Sequence, residues 1–301
     1  MSLTEAQIQQ FNDDGYLLIE GGLNDADLDP VIEEYAAHID GRARELLAAG
    51  EISQIHEDAP FERRLALLCG EYNDLYRGLD IMQFRGRACF EFLRNGRLLD
   101  MVERIVGPEI ICSPIQHIRP KLPEGLTPGG TDAHVVPWHQ DAGVTWEEAD
   151  PYFILTVWLP FCDATPENGC LQIVPRVHGQ GLLQHHPKPG EGTTIVASVM
   201  PEGEVLTLPM RKGDVLFMHK EIPHRSTPNE SDTVRWSADL RYQETGTPTG
   251  RPFYPDFVAR SRVNPESEVT DHAEWDQLWA EALAQKPPIS PHRWQKLETA
   301  G

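Results

Sequence analysis

The chain has 301 residues, 40% of them hydrophobic, with 47 acidic against 26 basic residues and a formal charge of -21. That length and apolar content can bury a sizeable core, and we expect a single domain over 1–301. So acidic a surface repels phosphate backbones and anionic bilayers, which argues against nucleic acid and membrane partners and for a small-molecule substrate.

No stretch approaches the ~18 apolar residues of a membrane span, and the opening "MSLTEAQIQQ" lacks the basic and apolar regions of a signal peptide. A soluble, cytoplasmic protein is expected. The five cysteines (Cys69, Cys89, Cys112, Cys162, Cys170) are odd in number and lack CxxC spacing, so they read as reduced core residues.

In chain order, Thr4 and Gln7 have capping-box spacing before a first helix, and "YLLIE" follows Gly15 as a short strand. Helical periodicity spans about 28–48, 60–77 and 94–106, the last closed by Gly107 and Pro108. The period then shortens. Strand candidates are "EIICSPIQHIRPK", "HVVPWHQD", "YFILTVWLPF", "GCLQIVP", "EVLTLPM", "DVLFMH" and "TVRWSADLRY". The succession predicts a mainly β fold: a closed antiparallel core over about 109–245, a helical part over 1–108 packed outside it, and a tail over 246–301. Residues 122–133 form a candidate lid, "ENGC" at Asn168 and Gly169 a hairpin turn, and Trp275 and Trp279 a packing pair on a last helix.

Three His-x-Asp pairs occur, against about 0.8 expected from composition, and one of them, His38 and Asp40, falls inside the helical periodicity of 28–48. His56 and Asp58 sit among charges without apolar alternation and read as solvated loop. His139 and Asp141 end an apolar run, and a strand would turn both side chains to one face. With a second imidazole they would make the two-histidine, one-carboxylate face of a non-haem iron site. Both His219 and His224 are available for that role. His224 is favoured because Arg235, eleven residues on, could reach the same cavity and grip a carboxylate. His178 reads as a turn residue, and His185 and His186 as members of a polar, exposed loop.

"WHQD", "LPFCDATPENGCLQIVPRVHG" and "HRSTPNESDTVR", with the opening "LTEAQIQQFNDDGYLLIEG", together resemble the phytanoyl-CoA dioxygenase family. The resemblance covers about residues 3–245 and implies a double-stranded β-helix of the jelly-roll kind. It implies Fe(II) held by His139, Asp141 and His224, with 2-oxoglutarate and dioxygen as cosubstrates. By the same likeness Arg235 and Ser226 would bind the distal carboxylate of 2-oxoglutarate, Trp158 and His117 would line its pocket, and Gln140 would point away from the metal. Succinate and carbon dioxide would be released as a substrate C–H bond is oxidised. Relatives that halogenate carry a small residue where this chain has Asp141, so hydroxylation or a related oxidation is implied. "PRVHG" departs from the family's Pro-Gly-Ser-His turn at Arg176 and Val177. The other readings are a cupin-like metal enzyme or zinc hydrolase, without use for Arg235, and an inactive binding protein of the same fold.

Overall fold

A computed structural model describes residues 2–126, 136–188, 192–285 and 293. Helix α1 (Glu5–Asp14) starts on a reciprocal Thr4/Gln7 capping box and stops at Gly15, whose φ of 76° is left-handed. A side chain at Gly15 would also strike the His178 ring 2.4 Å away, so that position needs glycine twice over. Strand β1 (Tyr16–Ile19) follows. Helix α2 (Asp25–Ala49) begins three residues before the apolar periodicity, because Asn24 and Asp27 form a second capping box.

The helix expected over 60–77 ends at Glu71 (α3, Phe61–Glu71). Tyr72 turns extended there, and a separate 3-10 turn covers Asn73–Tyr76. A helix absent from the sequence reading, α4 (Arg87–Leu93), precedes α5 (Gly96–Val106), which Asn95 caps through the Leu98 N–H.

The strands are β2 (Glu109–Cys112), β3 (His117–Lys121), β4 (Ile154–Pro160), β5 (Leu171–Ile173), β6 (His185–Lys188), β7 (Gly192–Ile195), β8 (Leu206–Leu208), β9 (Val215–His219), β10 (His224–Ser226), β11 (Arg235–Glu244) and β12 (Phe257–Ser261), before helix α6 (His272–Ala284). Every pairing among the described strands is antiparallel. One sheet runs β1-β9-β4-β11-β2-β12, with β3 also on β11; a second runs β10-β5-β8; β6 and β7 form a hairpin.

Three expectations are corrected. The single strand read over 109–121 is two, interrupted by the Ser113-Pro114 step, and β2 and β3 lie end to end along β11. The strand read over 134–141 is, among the described residues, a single bridge between His139 and His224, and Asp141 opens a 3-10 turn, Asp141–Val144. Pro137, which has no N–H to give a ladder, stands just before the bridge. His185, expected in an exposed loop, is 2% exposed on β6. The candidate lid lies outside the described residues from 127 onward.

Strand β11 joins the two halves of the molecule. Trp236, Ala238, Leu240 and Tyr242 point into a core closed by the helices, with Tyr35 and Phe61 against Trp236. The intervening residues point the other way, toward the second sheet, as strand alternation requires. A smaller apolar cluster, including Trp158, Leu171, Ile173 and Leu216, fills the space between the sheets.

Trp275 and Trp279 are fully buried, Trp275 stacking on Phe90 at 5.3 Å. All five cysteines are free, and burial pushes the Cys69 thiol up to about 12. Among the described residues no helix is long and apolar enough to cross a membrane.

Candidate metal and cosubstrate site

His139 and His224 exchange both backbone hydrogen bonds, at 3.0 and 2.9 Å, and this two-residue bridge sets their rings 4.1 Å apart between centroids. Each Nδ1 lies 2.9 Å from a carbonyl two residues back, of Pro137 and Ile222 respectively. A carbonyl can only accept, so Nδ1 carries the hydrogen and each Nε2 keeps a free lone pair. Both Nε2 atoms face Asp141 Oδ1, at 3.9 and 4.0 Å. The three ligand atoms lie within 4.8 Å of one another.

Asp141 is fixed from behind. Arg241 donates to Oδ1 at 2.5 Å and the Thr156 hydroxyl donates to Oδ2. Arg241 also pairs with Asp239 at 2.8 Å. Burial would raise the Asp141 carboxyl, but Arg241 and the two histidines hold it well below the usual carboxylate range. Burial, with His224 alongside, pushes His139 down to about 3. The cluster thus offers two imidazole Nε2 atoms and one carboxylate oxygen, a donor set suited to a divalent first-row metal.

Beside it is a cavity of about 200 Å³ whose lining includes His139, His224, Trp158, Ser226 and Arg235. Arg235 is 6% exposed and makes no ion pair with an acidic residue among the described ones. Its guanidinium donates to the Ser237 hydroxyl and lies 5.2 Å above the Trp158 ring, while Nε has no hydrogen-bond partner. Burial lowers its pKa to about 10. A second cation flanks it across the strand pair: Lys121, whose Nζ donates to Ser226 Oγ at 3.0 Å. Gly169 makes room for that lysine, since a Cβ there would come within 2.4 Å of its Cε. A buried arginine without an acid partner among the described residues, opening on a small cavity in so acidic a chain, fits an anionic ligand.

His117 lines the same cavity four residue pairs further along, opposite Asp239, with Nδ1 2.9 Å from Asp80 and beside Arg119. The Gln140 side chain turns from the cluster and bonds the Gly181 and Glu221 carbonyls and the Leu183 N–H. Buried His185 accepts the Gln140 N–H at 3.2 Å. His219 is elsewhere: its ring faces His178 and Phe153 around a separate cavity of about 210 Å³. His56 and Asp58 stay in a loop, His56 half-buried against Glu71 at 3.5 Å.

The sequence reading missed Lys121, Thr156, Arg241 and Asp80. For two of them a signal existed. Lys121 follows His117 by four, and Arg241 follows Arg235 by six, even spacings that keep each pair on one strand face.

A model of the phytanoyl-CoA dioxygenase (PhyH) family matches residues 11–237. A methylphosphonate hydroxylase of Gimesia maris is 29% identical over 251 residues, covering 80% of this chain and 81% of that protein. Among solved structures, the non-heme monooxygenase ThoJ in its apo form superposes with a TM-score of 0.61 at 17% identity, covering 93% of this chain and 98% of its own. The epimerase SnoN, in complex with Fe3+, alpha-ketoglutarate and nogalamycin RO, gives 0.53 at 22% identity, covering 83% and 88%. The family match spans both helical and sheet parts and takes in the site residues from His117 to Arg235; the chain belongs to the phytanoyl-CoA dioxygenase family.

Proposed function

We propose that the protein is an Fe(II)- and 2-oxoglutarate-dependent oxygenase that oxidises a C–H bond of a small-molecule metabolite, hydroxylation being the outcome we favour, with release of succinate and carbon dioxide. On this reading the chain is one domain over 1–301, and its two facing sheets form a double-stranded β-helix. The observation that carries the proposal is Arg235, a buried cation without an acid partner among the described residues, opening on the cavity that His139 and His224 also line. The names of two relatives support it: one is a hydroxylase, and one was solved with iron and alpha-ketoglutarate.

The roles follow from the contacts. His139 and His224 would bind the metal through Nε2 and Asp141 through Oδ1, with Arg241 and Thr156 holding the carboxylate in place. Arg235, Lys121 and Ser226 would orient the distal carboxylate of the keto acid, with Trp158 as a wall. The bound iron and keto acid would supply the oxidising power; the protein's part is orientation and exclusion of water. A cupin-like enzyme without 2-oxoglutarate would leave Arg235 buried to no purpose. Anaerobic titration with Fe(II) and then 2-oxoglutarate, followed by succinate assay on admitting air, tests the reading. Iron binding without 2-oxoglutarate binding would replace it with the cupin-like alternative.

A further inference from the structure

The turn Asp141–Val144 carries a second attachment at its far end. Arg251 Nε donates to the Val144 carbonyl at 2.6 Å, and the Trp146 N–H donates to the Gly250 carbonyl at 3.0 Å. Gly250 permits this approach, with φ of 68° and only 2.6 Å between a built Cβ and Thr145 Cβ. A 3-10 turn rises roughly 2 Å per residue, so Val144 lies only about 6 Å along it from Asp141. Arg251 is thereby anchored close to the candidate metal position.

The charges around it do not balance. Arg119 is matched by Asp80, and Arg241 by Asp141 and Asp239. Arg235 opens on the cavity read above as the place of the keto acid's distal carboxylate. Arg251 is left over: among the described residues it meets no carboxylate, and no hydrogen bond engages its terminal amino groups. It is half-buried, and burial together with Arg241 and Arg119 lowers its pKa to about 10, although Tyr254 opposes this. A guanidinium whose only task was to hold one carbonyl would gain nothing from standing among other arginines. Trp146 meets Phe253 edge-on at 5.4 Å, and Phe253 is 41% exposed, so the two segments that join at Gly250 also present an apolar surface.

We propose that the primary substrate carries an oxyanion, a carboxylate or a phosphonate-type group, which Arg251 binds on the Arg119 and Arg241 side of the metal site. The inference rests on the oxygenase reading above and adds the chemical class of its substrate. An anionic head held there places the substrate's carbon skeleton between Arg251 and the metal.

Calorimetric titration of the anaerobic Fe(II) protein, saturated with 2-oxoglutarate, tests this with three small probes: methylphosphonate, propionate and the neutral propionamide. The expected result is saturable binding of at least one anion and none of propionamide, with the stronger anion separating the tetrahedral from the planar class. Arg251→Gln should weaken that anion at least tenfold, and Arg251→Lys should restore part of it. Affinity for 2-oxoglutarate in both variants should stay within twofold of wild type, which also reports that they fold. Binding of neither anion, equal binding of propionamide, or anion binding unchanged in Arg251→Gln overturns the proposal. Failure of the wild type to bind 2-oxoglutarate would instead overturn the oxygenase reading, and that is measured before any probe is added.

Discussion

Arg241 donates to the same Asp141 oxygen that both imidazoles face, 2.5 Å from it, and the residues that hold this carboxylate are therefore as important as the carboxylate itself. Removing one partner of a buried pair leaves the other charge uncompensated, typically at about 3–5 kcal/mol. Arg241→Met should cost stability of that order and weaken iron binding, read by urea denaturation and anaerobic iron titration. Thr156→Val, which removes one hydrogen bond to the same charge, should cost less, about 1.5–3 kcal/mol. A neutral Arg241→Met variant would mean that Asp141 does not depend on it.

His139→Ala, Asp141→Ala and His224→Ala should each abolish tight Fe(II) binding, whereas His219→Ala should not. Because iron would bind the native state alone, a hundredfold excess over Kd should stabilise the wild type by about 2.7 kcal/mol and a chelator should remove that gain. Thermal melting with and without Fe(II) separates the variants: iron protection retained in His224→Ala and lost in His219→Ala would reverse the assignment.

Arg235→Gln should leave Fe(II) affinity intact and raise the 2-oxoglutarate requirement. Loss of one partner of a buried charged contact costs about 2–5 kcal/mol, roughly thirtyfold or more in affinity. Equilibrium binding of 2-oxoglutarate to the metal-loaded variant reads the change.

Acid should loosen the metal-free protein. Burial lowers His219 from an ordinary 6.5 to about 4, so between those values the unfolded chain takes up a proton that the native one refuses. Stability present above pH 6.5 is then lost as the pH falls toward 4, and the loss from this group levels off below that. His139 adds to it down to about 3. The melting temperature should therefore fall steadily from pH 6.5 to 4, and more shallowly in His219→Gln. A flat profile for the wild type would contradict the burial of these rings.

The sequence made the metal cluster legible because its members carry local marks. His139 and Asp141 are two apart, and His224 precedes Arg235 by a spacing that a strand, a turn and a second strand can fill. The spacing to Arg235 favoured His224 over His219, and the fold supplies the reason: both lie at strand ends, but only the end at His224 meets Asp141. The strand expected around His139 was wrong for a local reason, Pro137, and right in consequence, because one bridge to His224 aligns the rings as well as a ladder would. His185 was misread because its burial comes from partners elsewhere in the chain, Ile195 across the hairpin and the Gln140 backbone, while its own neighbours are polar. Arg251 was invisible for the same reason: the Val144 carbonyl that anchors it and Arg119 are each more than a hundred residues away.

Strand β11 also constrains how such a molecule can change. Its odd-numbered side chains from Arg235 to Arg241 serve the site and its even-numbered ones from Trp236 to Tyr242 serve the core, so inserting or deleting a single residue would drive guanidinium groups among the aromatics and strip the site at once. Such a strand is closed to insertion and deletion as a route to new substrates. The freedom lies in the segments at 142–152 and 250–254, which meet at Gly250 and the Trp146 amide and can be rebuilt in length and charge without disturbing the alternation beneath them.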